Sequence, residues 1–381
     1  MFGDTSEGGL QVQSTFFIHK NMNPSENRQI PQKYIFNKLN PDAIQWNDIE
    51  SISESTCFHT QQWDKYVHRC GYKTFIVEIK QGDSTIGYFI GTLIGHFAKA
   101  ICAPLDSLGY TQGAILKHPI EVKERIRLYQ ELANWIFENH YALYVSIDDW
   151  QLREDRQEWT DQYTWRNVLL DDAGVKYTVR PTLYLPMNGS IDDLWSGLHY
   201  KSAKYCINKA HKLGLHTRVI TKKEDIDSFL EFHYDQLCDV CRRHNAGKPK
   251  LGQSLQRLQK ACKELFPNRV LMIQVLWNDE NKIEHIMSSA VFFVGEEETI
   301  YNTGASYQRY QKFCPNEIMV WDAIRILKER GVRALNFGGM ANYKLKFGTT
   351  YAYVPRLIFS KYSFIDDMRS IAKRLYNKIL R

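Results

Sequence analysis

The chain has 381 residues, of which 44% are hydrophobic and 13% aromatic, with a formal net charge of +6 and eight cysteines. That length passes the roughly 250–300 residues at which a single core stops growing, so two domains are expected. A charged fraction of 24% with a modest positive balance is far from a nucleic-acid-binding composition but permits an anionic substrate, and no apolar run approaches the ~18 residues of a membrane span.

Residues 1–28 are polar, without period, and read as a mobile leader. The N-terminus lacks a charged-then-apolar signal pattern, which predicts a cytoplasmic protein. Thr74 to Ile79 and Thr85 to Ile94 flank the turn Gln81-Gly82-Asp83 as an antiparallel hairpin. A strand near Ala100 to Ala103, a helix from about Ile120 to Asn139 and a strand from Ala142 to Ile147 follow. After the strand Tyr177 to Leu185, Pro186-Met187-Asn188-Gly189 marks a seam. Asp192-Asp193 then open a helix running to Leu213, stopped by Gly214. At about 100° per residue, Lys201, Lys204, Asn208, His211 and Lys212 share one face of it, and Ala203, Cys206, Ile207, Ala210 and Leu213 the other. Such a basic stripe is either a solvated face or a docking surface for phosphate.

Beyond a helix at Ile226 to Arg243 the order of elements repeats. Val270 to Trp277 and His285 to Val294 form a hairpin around Asn278-Asp279-Glu280-Asn281, and a strand at Thr299 to Thr303, a helix at Glu317 to Arg330 and a strand at Val332 to Phe337 complete it. Corresponding elements lie roughly 190–200 positions apart, the mark of a duplicated mixed α/β unit. The domains expected are therefore 29–186 and 187–363, followed by a helix over 364–381. The cysteines at 57, 70, 102, 206, 238, 241, 262 and 314 show no framework spacing and read as reduced thiols. Cys238-x-x-Cys241 has no second pair, so no metal is expected.

The segment Asn336-Phe337-Gly338-Gly339-Met340-Ala341-Asn342-Tyr343-Lys344-Leu345-Lys346-Phe347-Gly348 places two lysines in a glycine-flanked turn directly after a buried strand. Gly338, Gly339 and Gly348 allow a ligand to approach the backbone closely, at a strand exit where sites are often held.

The order hairpin, strand, helix, strand, taken twice, accompanies several local motifs. Leu194-Trp195 and Lys204-Tyr205-Cys206-Ile207-Asn208-Lys209-Ala210 lead to Leu213-Gly214-Leu215, and Phe337-Gly338-Gly339 precedes Leu345-Lys346-Phe347-Gly348. Glu54 to Phe58, Gln62-Trp63 and Ala103-Pro104-Leu105-Asp106 lie in the first half. Together these resemble the Fem-type transferases and related GNAT-like acyltransferases over roughly residues 35–362. The resemblance implies an α/β (α+β) fold of two tandem GNAT-like domains, each a mixed, mostly antiparallel sheet flanked by helices. It also implies transfer of an acyl or aminoacyl group to an amine. By position, Lys346 matches the lysine that stabilises the reacting carbonyl, with Leu345 in place of the usual aromatic. Lys204 stands where many members have arginine, and Asp106 resembles a residue contacting the acceptor. Acetyl-CoA or another acyl-CoA enters as co-substrate by analogy alone, since the Gln/Arg-x-x-Gly-x-Gly/Ala pyrophosphate motif is absent.

The chemistry asks for a donor to the carbonyl oxygen, for which Lys346 is the candidate, and a proton acceptor, for which Asp106, His199 and Tyr343 are candidates. Substrate contacts are expected from Lys201, Lys204, Asn208, His211, Tyr301, Ser306, Gly338, Gly339, Asn342 and Phe347. The preferred reading is an N-acyltransferase acting on a small-molecule or lipid-linked amino sugar of the cell envelope. An aminoacyl-tRNA-dependent transferase and a non-catalytic binding module stand beside it. Ile365, Met368, Ala372, Leu375, Tyr376 and Ile379 form an apolar stripe among basic residues, a helix expected either to dock on the protein or to lie on the inner face of the membrane.

Overall fold

The structure is a computed structural model describing residues 33–93, 101–103, 113–139, 141–156, 174–244, 251–365 and 371. The expected leader, Asp106 and nearly all of the expected C-terminal helix lie outside the described residues. The first half comprises β1 (Ile35–Leu39), α1 (Trp46–Glu50), α2 (Gln61–Arg69), β2 (Lys73–Gln81), β3 (Ser84–Leu93), β4 (Ile101–Ala103), β5 (Ala114–Leu116), α3 (Val122–Glu138), β6 (Tyr144–Asp148), β7 (Glu154–Arg156) and β8 (Lys176–Pro186). Then come α4 (Ile191–Gly197), a π-helical turn (Tyr200–Lys204) and α5 (Tyr205–Lys212). The second half holds β9 (His216–Val219), α6 (Ile226–Arg243), α7 (Leu251–Leu265), β10 (Val270–Asn278), β11 (Glu284–Phe293), β12 (Thr299–Ser306), α8 (Pro315–Glu329), β13 (Ala334–Asn336) and β14 (Thr350–Ser360).

Both expected hairpins are present, β2 with β3 and β10 with β11. Their strands carry unbroken apolar runs because both faces are covered: Phe75, Ile76, Val77 and Ile79 are fully buried, as are Ile273 and Val275. α8 begins with Pro315 at its first position, where a missing N–H costs nothing, and Gly331 follows it at φ 79°. β2 and β10, β3 and β11, and β6 and β13 stand in the same order at the expected spacing of roughly 190–200 positions.

The sheet path is β1-β2-β3-β4-β6-β14-β8-β13-β12-β11-β10-β9. β4 runs parallel to β6 and β12 parallel to β13, while the remaining neighbours on the path are antiparallel. The two halves exchange their last strands. β8, from the first half, pairs with β13 of the second, and β14, from the second, pairs with β6 of the first. At the centre β8 and β14 lie side by side from Thr350↔Tyr184 to Ile358↔Lys176. A second seam is apolar: Phe58, Trp63 and Tyr66 share a buried cluster with Ile226, Phe229 and Leu265.

The expected continuous helix from Asp192 to Leu213 is corrected. α4 ends at Leu198, which is extended (φ −68°, ψ 141°), and the chain restarts as the π-helical turn. The break has a cause outside the helix, since the His199 N–H donates to the Lys346 carbonyl at 2.9 Å and cannot continue the α4 ladder. The apolar face is also narrower than expected. Ala203, Ile207 and Ala210 are buried, but Leu213 is exposed.

Candidate active site

In the second half β12 and β13 pair only at Thr299↔Leu335 and Ile300↔Asn336. Beyond that point the loop after β13 turns away and packs on the start of α8. Asn336 fixes the divergence: its Oδ1 accepts from Gly338 N–H at 2.8 Å and from Thr182 Oγ1 at 2.6 Å, and its Nδ2 donates to buried Glu298 at 2.5 Å. Gly338 and Gly339 follow at φ 59° and 67°, a left-handed pair that a side chain would strain.

Lys344 closes this loop. It is 1% exposed, and its ammonium donates to the carbonyls of Phe337 (2.8 Å), Gly338 and Gly339 (3.4 Å). Burial pulls its pKa down to about 8. The two lysines of the turn therefore divide: Lys344 is a structural staple, whereas Lys346 is held by a carboxylate on α8. Lys346 Nζ meets Glu317 Oε1 at 2.5 Å, and both side chains are mostly buried, at 18% and 15% exposure. The ammonium also lies 5.9 Å from the Tyr343 ring and 5.5 Å from the Phe347 ring. Phe347 stacks on Phe337 at 5.8 Å and 14° between planes, which anchors the far side of the helical turn bearing Lys346.

Behind the ion pair, the Tyr343 hydroxyl faces that of Tyr301, and burial raises both pKa values strongly. Tyr343 therefore stays a neutral hydroxyl and is no proton acceptor near pH 7, which corrects the expectation that it serves as a base. Gly304 makes room for this pair, because a Cβ there would lie 1.8 Å from the Tyr301 hydroxyl. Ser306 is buried at the end of β12 and its Oγ accepts from Asn316 Nδ2 at 3.1 Å, tying the strand to the first turn of α8. No side chain caps the N-terminus of α8.

Of the residues read from sequence, Lys346, Tyr343, Tyr301, Phe347, Gly338 and Gly339 thus lie about one strand mouth, and Ser306 joins them through Asn316, while Asn342 is exposed at the start of the same turn. Gly348 does not offer a ligand its backbone, since a Cβ there would meet the Gly197 carbonyl at 3.0 Å. Lys201, Asn208 and His211 are exposed on the π-helical turn and α5. Lys204 is partly spent on structure, its ammonium reaching the Ser196 carbonyl at the end of α4 at 3.1 Å. His199 pairs with Ser202 at 2.9 Å. Sequence reading missed Glu317, whose partner lies 29 positions away; the only signal was an acidic residue in the first turn of a helix beginning beside a strand exit.

Among the described residues, the first half carries a buried charge cluster of its own. Arg125, buried, pairs with Asp149 at 2.5 Å and with Glu54 at 3.1 Å, and Tyr129 donates to Asp149 at 2.5 Å. A small cavity borders Glu54, His59, Asp149 and Trp150, but its charged wall is already paired.

Residues 199–346 match the family model of the acetyltransferase (GNAT) domain. That match spans the strands and helices of the second half, and the first half has the same strand order, so the chain has a GNAT-type α/β fold. FemX shares this fold at a TM-score of 0.62 and 12% identity, over 84% of this chain and 96% of that one. A conserved protein of unknown function from Bacteroides thetaiotaomicron VPI-5482 aligns at TM-score 0.51 and 9% identity, over 84% and 99%. A tandem GNAT protein from the clavulanic acid biosynthesis pathway aligns at 0.48 and 10%, over 86% and 99%. No curated protein sequence matches the chain.

Proposed function

We propose that this protein is an N-acyltransferase that moves an acyl group from a CoA thioester to the amine of a nucleotide- or lipid-linked amino sugar or a similar cell-envelope precursor. The observation that carries the reading is the Lys346–Glu317 pair at the mouth between β12 and β13. The free amine attacks the thioester carbonyl, and its electron pair forms the C–N bond while charge moves onto oxygen. Lys346 donates to that oxygen, a contribution on the order of 3 kcal/mol when the donor is fixed in place. Glu317 receives the proton that the amine sheds. The C–S bond then breaks, and the thiolate leaves to be protonated by solvent. The uncapped α8 amides favour the donor's phosphates, and Arg309 and Lys312, in the 3-10 turn just before α8, add positive charge on that side.

A second reading, transfer from an aminoacyl-tRNA, is favoured by one feature. Tyr200 and Tyr205 are 77% and 61% exposed among Lys201, Lys204, Lys209 and Lys212, an arrangement suited to stacking nucleotide bases. Incubating the purified protein with labelled acetyl-CoA or charged tRNA and a panel of amino-sugar acceptors separates the two. Acetyl transfer independent of tRNA supports the first, tRNA-dependent transfer supports the second, and no transfer from either donor overturns both.

A further inference from the structure

Cys206, Cys314 and Glu317 come from distant parts of the chain, yet their Sγ and carboxylate atoms all lie within 4.8 Å of one another. We propose that these three side chains form a site for a thiophilic divalent cation of the Zn2+ class, and that the bound cation takes Glu317 away from Lys346. Two thiols and a carboxylate are a borderline-soft donor set, suited to zinc rather than magnesium or calcium. A tetrahedral centre with bonds of about 2.3 Å to sulfur and about 2.0 Å to oxygen wants its donors about 3.5–3.8 Å apart, so the site closes with movements of about 1 Å. Its three protein ligands leave a fourth position for water.

Two further features point the same way. Cys314 is a non-glycine residue in the left-handed region (φ 62°) directly before α8, and its thiol does not cap that helix. Such a backbone costs on the order of 1–3 kcal/mol, and it sets the thiol beside Cys206 and Glu317. Charge also balances. Two thiolates, one carboxylate and a divalent cation sum to −1, opposed by the Lys209 ammonium near Cys314. On binding, two S–H protons pass to solvent, a Glu317 oxygen becomes a ligand and Lys346 loses its partner. The cation would therefore inhibit the reaction, a consequence that rests on the acyl-transfer reading, whereas the site itself does not. Sequence reading expected no metal because Cys238-x-x-Cys241 has no second pair; Cys206 and Cys314 lie more than a hundred positions apart and gave no spacing to read.

The test titrates reduced, metal-free, full-length protein with Co2+ and then Zn2+. One equivalent of Co2+ should give a near-ultraviolet thiolate-to-cobalt band that Zn2+ abolishes. Cys206→Ser and Cys314→Ser should each weaken Zn2+ binding about 30-fold or more, and Glu317→Gln about 10-fold. Absence of the band, or a band and affinity that survive either serine variant, overturns the site. Should Cys314→Ser fail to fold, Cys206→Ser, at a partly exposed position, decides alone. Where acyl transfer is measurable, Zn2+ should slow it in the wild type and far less in Cys206→Ser, and equal inhibition overturns the coupling to Glu317. A protein without transferase activity still gives or withholds the cobalt band, so the two readings fail separately.

Discussion

At the smallest scale, single side chains carry separate tasks. Lys346→Ala should lower turnover about a hundredfold or more in protein that is still folded, because the ammonium acts on the developing oxyanion; a turnover near wild type would remove it from the reaction. Lys344 does different work. Lys344→Met leaves buried carbonyls without a donor and should cost about 2–4 kcal/mol in denaturant unfolding. Its pKa sits at about 8 in the fold against about 10.4 in the unfolded chain. Between those values the unfolded chain holds more protons, so the wild type gains stability as pH rises through the window. The gap between wild type and Lys344→Met should therefore widen from pH 8 to about pH 10, and a constant gap would mean that burial does not depress this lysine. His59 and His233 carry the opposite end of the pH range. Burial lowers them to about 4 and about 3, and His233 is held neutral between Ser289 at 2.8 Å and Thr303 at 3.1 Å. Stability should fall as pH drops below about 6.5, where the unfolded histidines take up protons that the folded ones refuse. Denaturant titrations of His233→Gln should show a shallower acid slope, and an unchanged slope would put the loss elsewhere.

Among the elements, periodicity and turn chemistry were enough to locate the hairpins, because β2 and β10 bury both faces and their turns carry Gly82 or Asp279 and Asn281. The interruption at Leu198–His199 was not legible. The residues from Asp192 to Leu213 keep a helical pattern throughout, and what breaks it is the Lys346 carbonyl, nearly 150 positions downstream. Lys344 was visible as a charge in an apolar setting, but nothing local distinguishes it from Lys346; only the carbonyls of Phe337 to Gly339 do. Glu317 and Cys314 were hidden for the same reason, since each acquires its role from a partner on another element. The exposed lysines beside the break lead to an expectation at this scale. Lys201→Glu with Lys204→Glu should raise KM for an anionic substrate and weaken its salt dependence. A change in stability alone would assign Lys204 to the end of α4 and Lys201 to solvent.

Across the whole molecule, the duplication could be read from element order, but the partner of each last strand could not, because β8 and β14 are equally apolar and either would fit beside β6 or β13. The exchange makes the halves interdependent. A chain ending at residue 349 lacks β14 and should leave both halves poorly folded; if residues 33–186 alone give a cooperative melt, the first half does not need the strand. Among the described residues no helix is long and apolar enough to cross a membrane.

The order in which the chain is made gives the exchanged strands a temporal meaning. β8 is complete at Pro186, yet its central neighbour ends at Ser360. At about 5–20 residues per second, roughly 9–35 s of synthesis separate the two. For that interval β6 presents one unpaired edge, and β8, whose neighbours β13 and β14 are both made later, begins with two, open to everything near the ribosome, including the same strands of a neighbouring nascent chain. Slow codons or a stalled ribosome between residues 187 and 350 would lengthen the exposure, and a chaperone that shields strand edges would protect yield without altering the finished protein.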